Sequence, residues 1–463
     1  MNILYIGAGF VGSCGAAVAA NNGHKTLIYD TDQKRIALLS SGDRDVIESC
    51  LAEPGLGDLL IRNKERVKFT SDYNEVENFL SDGDAVFICV PTPEMGETGE
   101  SDLKYFYDAL ENISQALIKR NSKRQEKYAL IINKSTLPID MADRTKLLLE
   151  KAGVKNFGVV SNPEFLVMGK AIHDSIKPDR IVVGAWNEKD FAIMRRVYLM
   201  FYNSPSVKYI EVSPPEAAAG KLLANYYLFN KLANCFDVMG RTCEAFAGLK
   251  FENLRDILSG DSRIGSWGFF DSLSAGGSCL VKDSRSLMRQ LQSKNKTTAL
   301  INETYLANKR QLDNFMNRAE AEAGFDWQQK KVAILGLAFK RDTNDIRDSA
   351  AVKIMDLILS KNIKEIIAYD PAAMENFKRS FSSIEKIRYS ANEAEAIKDA
   401  DAVIIATDWP QFREVGALIM QSDKKPIIMD GRRMLRHKYD ELQNKGYNII
   451  AVGSPFLKGK NYV

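Results

Sequence analysis

The sequence predicts an α/β protein with two doubly wound parallel-sheet domains joined by a central all-helical region. First, the short apolar segment Ile3–Ile6 leads directly into a glycine-rich turn, and apolar strands then alternate with helical stretches. Second, residues 214–325 lose the strand-like segments and show helical periodicity. Third, the opening pattern returns after Trp327. We expect an N-terminal domain at 1–210, a helical domain at 211–325 and a C-terminal domain at 326–463.

Composition supports this division. A chain of 463 residues is too long for one ordinary core, and 45% apolar with 27% charged residues is typical of soluble globular proteins. The net charge of +3 gives no reason to expect a nucleic-acid or membrane partner. No apolar segment reaches the roughly 18 residues that span a bilayer, and the N-terminus begins in a strand without a signal peptide. We therefore expect a cytoplasmic protein.

A metal site is not expected either. The six cysteines lack zinc-site spacing, and the chain has only three histidines. Lysine, aspartate, glutamate and ordered water are therefore the better candidates for acid–base chemistry.

The N-terminal domain begins with a dinucleotide fingerprint. Gly7, Gly9 and Gly12 follow a strand and open a helix, with Phe10 and Val11 inside the motif, and Asp30 ends the next strand (Thr26–Tyr29). The glycines allow a pyrophosphate to approach the helix N-terminus. The Asp30 carboxylate suits ribose hydroxyls and repels a 2′-phosphate, which favours NAD over NADP, although the nearby Arg35 is a possible phosphate ligand. The motif indicates a Rossmann-like fold, unless the glycines serve packing alone.

Two later strands of this domain end in threonine–proline turns. Val90-Pro-Thr92-Pro follows the predicted strand Ala85–Val90, and Lys134-Ser-Thr136-Leu-Pro follows Ala129–Asn133. Ligands of doubly wound sheets bind beyond the carboxyl ends of the strands. Thr92 and Thr136 are thus placed near the nicotinamide or the reacting carbon, or they only stabilise the turns.

A candidate nucleophile lies in the segment Gly276-Gly-Ser-Cys279-Leu-Val-Lys282-Asp283, which indicates the type of reaction. Cys279 begins a predicted helix that extends to about Gln292, and a helix N-terminus favours a thiolate. Lys282 and Asp283 follow on the same face, so a nucleophile, a cation and a possible base lie on one turn. A thiol together with a hydride acceptor suggests that an alcohol is oxidised past the aldehyde while the carbonyl is held covalently.

Other polar residues are weaker candidates. Glu164 follows the predicted strand Gly158–Val160 and is a candidate base or a solvated loop residue. Lys221 and Asn225 share one face of a long helix that is predicted to extend to about Phe246. Lys221 suits an oxyanion, but spacing alone favours a solvated lysine.

Several cations are candidate ligands for a diphosphate. The second copy of the opening pattern lacks the three-glycine fingerprint, so it is expected to bind something other than the dinucleotide pyrophosphate. Lys340, Arg347 and Arg432 follow apparent strand ends there, and Arg263 lies in a loop before the cysteine segment. Arg263 is placed to reach a ligand in its own subunit or in the next.

Together these motifs resemble the UDP-glucose/GDP-mannose dehydrogenase family over about residues 1–453. The matching segments are Gly7–Gly12, Glu53–Leu56, Val90–Pro93, Ser135–Pro138, Asn162–Leu166, Lys221 with Asn225, Gly276–Asp283, Phe339–Thr343 with Arg347, and Asp430–Arg433. The resemblance implies oxidation of the C6 hydroxyl of a nucleotide sugar to a carboxylate with two NAD and no metal. UDP-glucose, oxidised to UDP-glucuronate, is the favoured substrate.

The resemblance also implies residue roles. Cys279 would form a thiohemiacetal and then a thioester, which water directed by Glu164 or Asp283 hydrolyses. Lys221 would stabilise oxyanions, while Asn225 and Thr136 position substrate and water. The substrate contacts would be Glu164, Phe165, Leu166, Lys221, Asn225, Gly276, Lys340 and Arg432, with Arg263 reaching across a dimer interface. Lys282, Arg347 and Val90 would lie on the cofactor side, and the helical region would form a homodimer or part of a larger homo-oligomer.

Two departures from the family pattern leave the substrate open. Met168 occupies a position where the family commonly has a glutamate, and the loop 269–275, which is usually rich in glycine and aromatic residues, is Phe-Phe-Asp-Ser-Leu-Ser-Ala. The alternatives are the same chemistry on a UDP-N-acetylhexosamine, UDP-galactose or GDP-mannose, a binding protein without catalysis, and a single-step dehydrogenase.

Overall fold

The computed structural model describes residues 1–96, 98–123, 127–270, 272–276, 279–422 and 424–460, without the side chains of residues 122 and 123. It divides into two compact units. The first contains Met1–Ala224 and Arg289–Lys294, and the second contains Asn225–Met288 and Asn295–Val463. Because a unit boundary falls inside the long helix at 214–233, this division does not test the three predicted domain boundaries, which stay predictions.

The first unit is built on an eight-stranded sheet in the order β3-β2-β1-β4-β5-β6-β7-β8. Its strands are β1 Asn2–Ile6, β2 Lys25–Tyr29, β3 Val67–Thr70, β4 Ala85–Ile88, β5 Ala129–Asn133, β6 Phe157–Ser161, β7 Arg180–Gly184 and β8 Lys208–Val212. Its helices before residue 213 are α1 Phe10–Asn21, α2 Gln33–Leu39, α3 Arg44–Leu51, α4 Leu56–Arg62, α5 Tyr73–Leu80, α6 Lys104–Lys123, α7 Met141–Lys151, α8 Ala171–Ile176, α9 Glu188–Val197 and α10 Leu199–Tyr202.

The central strands of this sheet are buried on both faces. Ile3 and Phe87 belong to a core cluster on one side, whereas Leu4 and Val86 belong to a cluster on the other. Parallel strands covered by helices on both sides therefore need continuous apolar sequences, as in β4 and β5. The in-register pairing of Leu4 with Leu27 and Val86 fixes β1 at the centre.

Two details differ from the prediction. Strand β4 ends at Ile88 rather than Val90, because Pro91 lacks the N–H that would continue the ladder beyond that turn. Strand β7 pairs with β6 in the antiparallel direction, through Ser161 and Gly184. The predicted parallel sheet is thus confirmed from β3 to β6, and β7 and β8 extend it.

The helical region follows β8. It comprises α11 Pro214–Ala233, a π-helix at Asn234–Gly240, α12 Arg241–Ala245, α13 Phe251–Ser259, α14 Leu280–Ser293 and α15 Ala299–Ala321. The predicted long helix does end near Phe246, but it begins at Pro214, where proline is tolerated because its missing N–H lies in the first turn. The π-helix was not predicted. Among the described residues, no helix is both long and apolar enough to cross a bilayer.

The second unit contains a six-stranded, fully parallel sheet in the order β11-β10-β9-β12-β13-β14. Its strands are β9 Lys331–Leu335, β10 Glu365–Tyr369, β11 Ile387–Tyr389, β12 Ala402–Ile405, β13 Ile427–Asp430 and β14 Ile449–Ala451. Its remaining helices are α16 Ala350–Leu359, α17 Met374–Ser380, α18 Glu393–Ile397, α19 Val415–Met420 and α20 Tyr439–Asn444, with 3₁₀ turns at Pro410–Glu414 and Arg436–Lys438. This order repeats that of β1–β6, so the predicted internal symmetry and fold class are confirmed.

The carboxylate of Asp370, directly after β10, holds the turns at the carboxyl ends of the strands of the second sheet. We call this side of the sheet its ligand edge. It is 1% exposed and accepts hydrogen bonds from five groups, the backbone N–H groups of Leu337, Ala338, Ala372 and Ala373 and the indole N–H of Trp409, at 2.7–3.1 Å. With both oxygens occupied, this side chain is not available to bind a ribose. It is a structural acceptor for the turns after β9 and β10.

Asp370→Asn tests this role. The amide NH₂ group would face backbone donors, so we expect the free energy of unfolding to fall by about 1–3 kcal/mol. The midpoint of urea denaturation, followed by tryptophan fluorescence, measures the change. Asp399→Asn, at an exposed position, is the control and should leave the midpoint unchanged. Equal midpoints for both variants would contradict the role.

Candidate active site

The glycine turn after β1 has the shape of a pyrophosphate cradle. Gly7 has a φ of +105°, and a Cβ at Gly12 would lie 2.0 Å from the Gly7 carbonyl oxygen, so both positions require glycine. A Cβ at Gly9 would meet nothing within 4 Å, and α1 begins at the next residue. The free amides of the first helical turn, including those of Phe10 and Val11, thus lie beside open space, which suits a dinucleotide.

Asp30 lies at the position expected for a ribose ligand. Its carboxylate accepts hydrogen bonds from the Ala8 N–H at 2.7 Å and the Asp32 N–H at 2.9 Å, and Arg35 pairs with it at 3.1 Å. The side chain is only partly buried, unlike that of Asp370. One carboxylate therefore stabilises the turn and still has accessible surface for a ligand hydroxyl.

The turns after β4 and β5 are bound to each other. The Thr92 hydroxyl donates to the Thr136 carbonyl at 3.0 Å, and the Ser135 hydroxyl donates to the Val90 carbonyl at 2.7 Å. Thr92 is buried, and this bond shows it in a structural role. Its neighbour Thr136 is half-buried.

Lys134 connects the end of β5 to the turn after β6. Its ammonium donates to Asn162 Oδ1 at 3.1 Å and to the Pro163 carbonyl at 3.4 Å, and the Tyr198 hydroxyl also donates to Asn162 Oδ1. Burial lowers the pKa of Lys134 to about 8. Lys134 and Asn162 had no role in the sequence-based prediction, because nothing in their spacing reveals which strand end a lysine reaches.

Glu164 and Lys221 form a buried ion pair. Lys221 is 5% exposed, and its Nζ lies 3.1 Å from Glu164 Oε1, while Glu164 Oε2 accepts the Leu166 N–H. Spacing alone favoured a solvated Lys221, and that interpretation is wrong. The solvated alternative for Glu164 is wrong as well, since each side chain supplies the charged partner that the other needs when buried. Two cations lie near the Phe165 ring, with the Arg180 guanidinium 3.8 Å and the Lys221 ammonium 5.3 Å from its centroid.

Glu53 anchors the segment that follows Glu164. It is fully buried, and its two oxygens accept the Gly169 N–H at 2.7 Å and the Ala171 N–H at 2.9 Å. Met168, the departure from the family pattern, is half-buried within this anchored segment. A sequence motif marked Glu53, but its partners lie more than 100 residues away and could not be read from spacing.

In the second unit, the thiol, a cation and two polar groups are brought together. Cys279 is exposed directly before α14, whose Asp283 N–H donates to the Cys279 carbonyl at 2.9 Å. The Asp283 carboxylate is 1% exposed, and Lys282 Nζ and Asn225 Nδ2 each lie 2.6 Å from one of its oxygens. Asp283 is thus a bound anion with both oxygens engaged.

Arg347 adds a second cation near the thiol. Hydrogen bonds to Asp345 raise the pKa of the Arg347 guanidinium, and the charge of Cys279 adds to this effect. By the same attraction, the guanidinium favours the thiolate form of Cys279. Gly276 is required at its position because a Cβ there would lie 2.8 Å from the Asp348 carbonyl oxygen. Gly277 and Ser278 lie outside the described residues.

A cationic cluster surrounds Asp408 at the ligand edge of the second sheet. Arg432 donates to Asp408 Oδ1 at 2.7 Å and to the Ser272 hydroxyl at 2.9 Å, and Arg341 lies 3.9 Å from Asp408 Oδ2. Burial alone would raise the pKa of Asp408, but Arg432 lowers it below its ordinary value. Arg341 also lies 3.6 Å from Asp342. With the adjacent Lys340, the three cations outnumber these two carboxylates, so the cluster retains positive charge that suits a diphosphate.

Arg263 stands apart from these groups. Its side chain is 88% exposed, and its guanidinium pairs with Asp261 at 2.6 Å. Within the described residues, no group of three or more histidine, cysteine, aspartate or glutamate side chains could hold a metal ion. The second unit thus provides a nucleophile and a bound carboxylate, and the first provides a buried cation with its paired carboxylate. Groups of these types can serve covalent and oxyanion chemistry.

Comparison with known proteins identifies one family along the chain. The sequence matches the NAD binding domain of the UDP-glucose/GDP-mannose dehydrogenase family over residues 1–202, its central domain over 215–310 and its UDP binding domain over 333–437. The UDP-glucose 6-dehydrogenase of Rickettsia conorii is 32% identical over 458 residues, covering 98% of this chain and 100% of the relative. That of Bacillus subtilis is 32% identical over 464 residues, covering 99% and 94%.

Solved structures agree. A UDP-glucose dehydrogenase from Pyrobaculum islandicum superposes with a TM-score of 0.83 at 28% identity, covering 94% of this chain and 95% of that one. A UDP-D-ManNAc dehydrogenase from Pyrococcus horikoshii has a TM-score of 0.80 at 22% identity, covering 98% and 99%, and shows the shared fold alone. The chain therefore belongs to the UDP-glucose/GDP-mannose dehydrogenase family and is an NAD-dependent dehydrogenase of nucleotide sugars.

Proposed function

We propose that the protein oxidises C6 of UDP-glucose to the carboxylate of UDP-glucuronate in two steps, with Cys279 holding the half-oxidised sugar. The observation that carries this proposal is the exposed thiol at the N-terminus of α14, next to a buried carboxylate that Lys282 and Asn225 hold in place. A dehydrogenase that stopped at the aldehyde would not need a nucleophile there.

NAD, bound at the Gly7–Gly12 turn, supplies the hydride acceptor for each of the two oxidations. In the first, the C6 carbon loses a hydride and the C6 hydroxyl loses its proton to water, so the product is an aldehyde. The Lys221 ammonium stabilises the negative charge that develops on that oxygen. Lys221 suits this role because it is buried, so its charge acts with little solvent screening. Glu164 fixes its orientation through the ion pair at 3.1 Å.

Cys279 then acts as the nucleophile. Its thiolate sulfur adds to the aldehyde carbon to give a thiohemiacetal in its alkoxide form, and loss of a hydride from that carbon restores the C=O bond and gives a thioester. A free aldehyde would escape or hydrate between the two oxidations. The covalent bond makes the second oxidation intramolecular with respect to the sugar, where positioning contributes several kcal/mol.

Hydrolysis completes the reaction. Water adds to the thioester carbonyl, the C–S bond breaks, and the products are the carboxylate and the free thiol. Glu164 and Asp283 are both candidates for directing this water, with Thr136 and Asn225 positioning it. Asp283 has both oxygens bound by Lys282 and Asn225, and Glu164 also has both oxygens engaged, so either must share a hydrogen bond when it accepts the proton.

The nucleotide end is assigned to the second unit. The cationic cluster of Lys340, Arg341 and Arg432 supports binding of a diphosphate, and Phe165 and Leu166 of the first unit are the proposed sugar contacts. Lys282 and Arg347 are the proposed cofactor-side groups, although the interaction of Arg347 with Cys279 also supports a role beside the thiol.

The names of relatives with 30–32% identity support UDP-glucose as the sugar nucleotide. A second candidate is the same chemistry on a UDP-N-acetylhexosamine, UDP-galactose or GDP-mannose. The observation that favours it is the loop before the thiol, where Ser272 and Ser274 are buried at positions that are usually glycine- and aromatic-rich in the family.

Cys279→Ser tests the covalent mechanism. A hydroxyl is a far weaker nucleophile at neutral pH, so we expect formation of the acid product to fall by at least about a thousandfold. Binding of NAD and of UDP-glucose, measured by calorimetry, should stay within a few-fold of the wild type, because neither ligand depends on the sulfur. Cys235→Ser, which changes a buried thiol, is the matched control. Wild-type turnover by Cys279→Ser would overturn the covalent step.

Product stoichiometry separates the candidate reactions. With a limiting amount of UDP-glucose, the four-electron reaction forms two NADH per sugar, whereas a single-step dehydrogenase forms one. The same assay on UDP-N-acetylglucosamine, UDP-galactose and GDP-mannose ranks the substrates by kcat/KM. We expect UDP-glucose to rank first, and no turnover of UDP-glucose would reject this assignment in favour of another sugar.

We further propose that the helical region forms a homodimer. Large apolar side chains of the second unit are exposed there, namely Tyr227 (71%), Val238 (59%), Phe246 (64%) and Ile257 (70%). Exposed apolar side chains of this size are typical of a covered interface. Within a dimer, the exposed Arg263 would be available to reach the neighbouring subunit.

Charged substitutions test the dimer. Tyr227→Glu combined with Val238→Arg should shift the species measured by light scattering to the mass of one chain, since unpaired charges cannot be buried in an apolar interface. Lys309→Glu, at an exposed polar position, should leave the mass of the wild type unchanged. A wild type with the mass of one chain would contradict the proposal.

A further inference from the structure

The loop that leads to the thiol is held by two buried amide side chains of α15. Asn308 and Gln311, three residues apart on one face of that helix, are 3% and 1% exposed. Neither was a candidate in the sequence, because both lie in a helix without a recognisable motif. Their amides contact the backbone of residues 272–276, which immediately precede the Gly-Ser-Cys279 segment.

Asn308 forms a reciprocal pair with one residue of this loop. Its Oδ1 accepts the Ala275 N–H at 2.7 Å, and its Nδ2 donates to the Ala275 carbonyl at 3.1 Å. Such a pair fixes both the position and the orientation of the Ala275 backbone, as a neighbouring strand would. An asparagine amide is suited to this because it is donor and acceptor at once.

Gln311 holds the beginning of the same loop. Its Nε2 donates to the Ser272 carbonyl at 3.1 Å, and Arg241 orients the amide by donating to its Oε1 at 2.5 Å. The Ser272 hydroxyl in turn accepts from Arg432, at 2.9 Å. The loop is therefore fixed at two points by α15 and is also bonded to a proposed substrate contact.

Packing also constrains the loop. Leu273 is fully buried, and a Cβ at Gly431 would lie 2.5 Å from its side chain. At the other end, Gly276 lies against the Asp348 backbone. Residues 272–276 thus have both apolar and polar constraints.

We propose that Asn308 and Gln311 are positioning residues for the nucleophile. By fixing residues 272–276, they determine the position of Cys279 at the N-terminus of α14. The catalytic part of this inference rests on the proposed function. The positioning of the thiol does not, because it can be measured without turnover.

The test is the pH dependence of Cys279 alkylation by iodoacetamide, with the modified peptide quantified by mass spectrometry. In Asn308→Leu, a residue of similar size without hydrogen bonds, the thiol loses its fixed place beside the helix N-terminus and Arg347. We expect the midpoint of the alkylation profile to rise by about one pH unit or more and kcat to fall at least tenfold. The Kd of NAD, which binds to the first unit, should not change. Gln311→Met should act in the same direction.

Asn302→Leu is the matched control, since it makes the same chemical change at an exposed position of α15. If Asn308→Leu fails to fold, as judged by circular dichroism, Gln311→Met decides instead, because it removes the bond to the Ser272 carbonyl and leaves the Asn308 pair with Ala275 in place. A smaller shift in the same direction supports the proposal. An alkylation profile identical to that of Asn302→Leu overturns the positioning proposal. Failure of the wild type to oxidise UDP-glucose would reject the proposed function, but it would not change the conclusion drawn from the alkylation profiles.

Discussion

The buried carboxylate of Asp283 is the interaction on which the chemistry of the second unit depends. An isolated carboxylate at 1% exposure would cost several kcal/mol, and the ammonium of Lys282 and the amide of Asn225 together offset that cost. Since Asn225 belongs to α11 and Asp283 to α14, satisfying this one charge fixes the first turn of α14 against a second helix. The thiol of Cys279, one residue before that turn, therefore has a defined environment although it is exposed. The Glu164–Lys221 pair of the first unit is stabilised in the same way, because each buried charge is paired with the other.

The two units share one strand order, but the turns at their ligand edges differ. Asp30 and Asp370 end equivalent strands, and each accepts N–H groups of the turn after the preceding strand of its sheet. In the first unit a helix begins within the glycine turn, so its free amides lie beside open space and Asp30 keeps accessible surface. In the second unit no helix begins in the described chain between β9 and Ala350, and Asp370 is saturated by five donors. The ligand edge of that sheet relies instead on the guanidiniums around Asp408, which is consistent with its match to a UDP binding domain.

Local patterns were sufficient to predict most of the fold and the identity of the principal groups. Continuous apolar strands, the glycine fingerprint and the Gly-Gly-Ser-Cys segment each reflect constraints within a few residues, so the sequence reveals them directly. Partners distant in sequence were not predictable. Nothing near Lys221 indicates that Glu164 will bury it, nothing near Glu53 indicates the amides at 169 and 171, and Asn308 shows no sign of the loop that it holds. The antiparallel β7 and the π-helix at 234–240 also depend on tertiary packing, which overrides local preference. The predicted domain boundaries and site roles stay predictions.

The central claim is that a sulfur atom carries the sugar between two oxidations, and the adduct itself is the most direct evidence for it. Wild-type enzyme mixed with UDP-glucose and NAD, quenched in acid within one turnover and digested at low pH, should yield a peptide containing Cys279 with the UDP-glucuronyl group attached as a thioester. The adduct should disappear on treatment with hydroxylamine and should not form when NAD is omitted. Acid product formed at the normal rate, with the Cys279 peptide unmodified throughout turnover, would contradict the account.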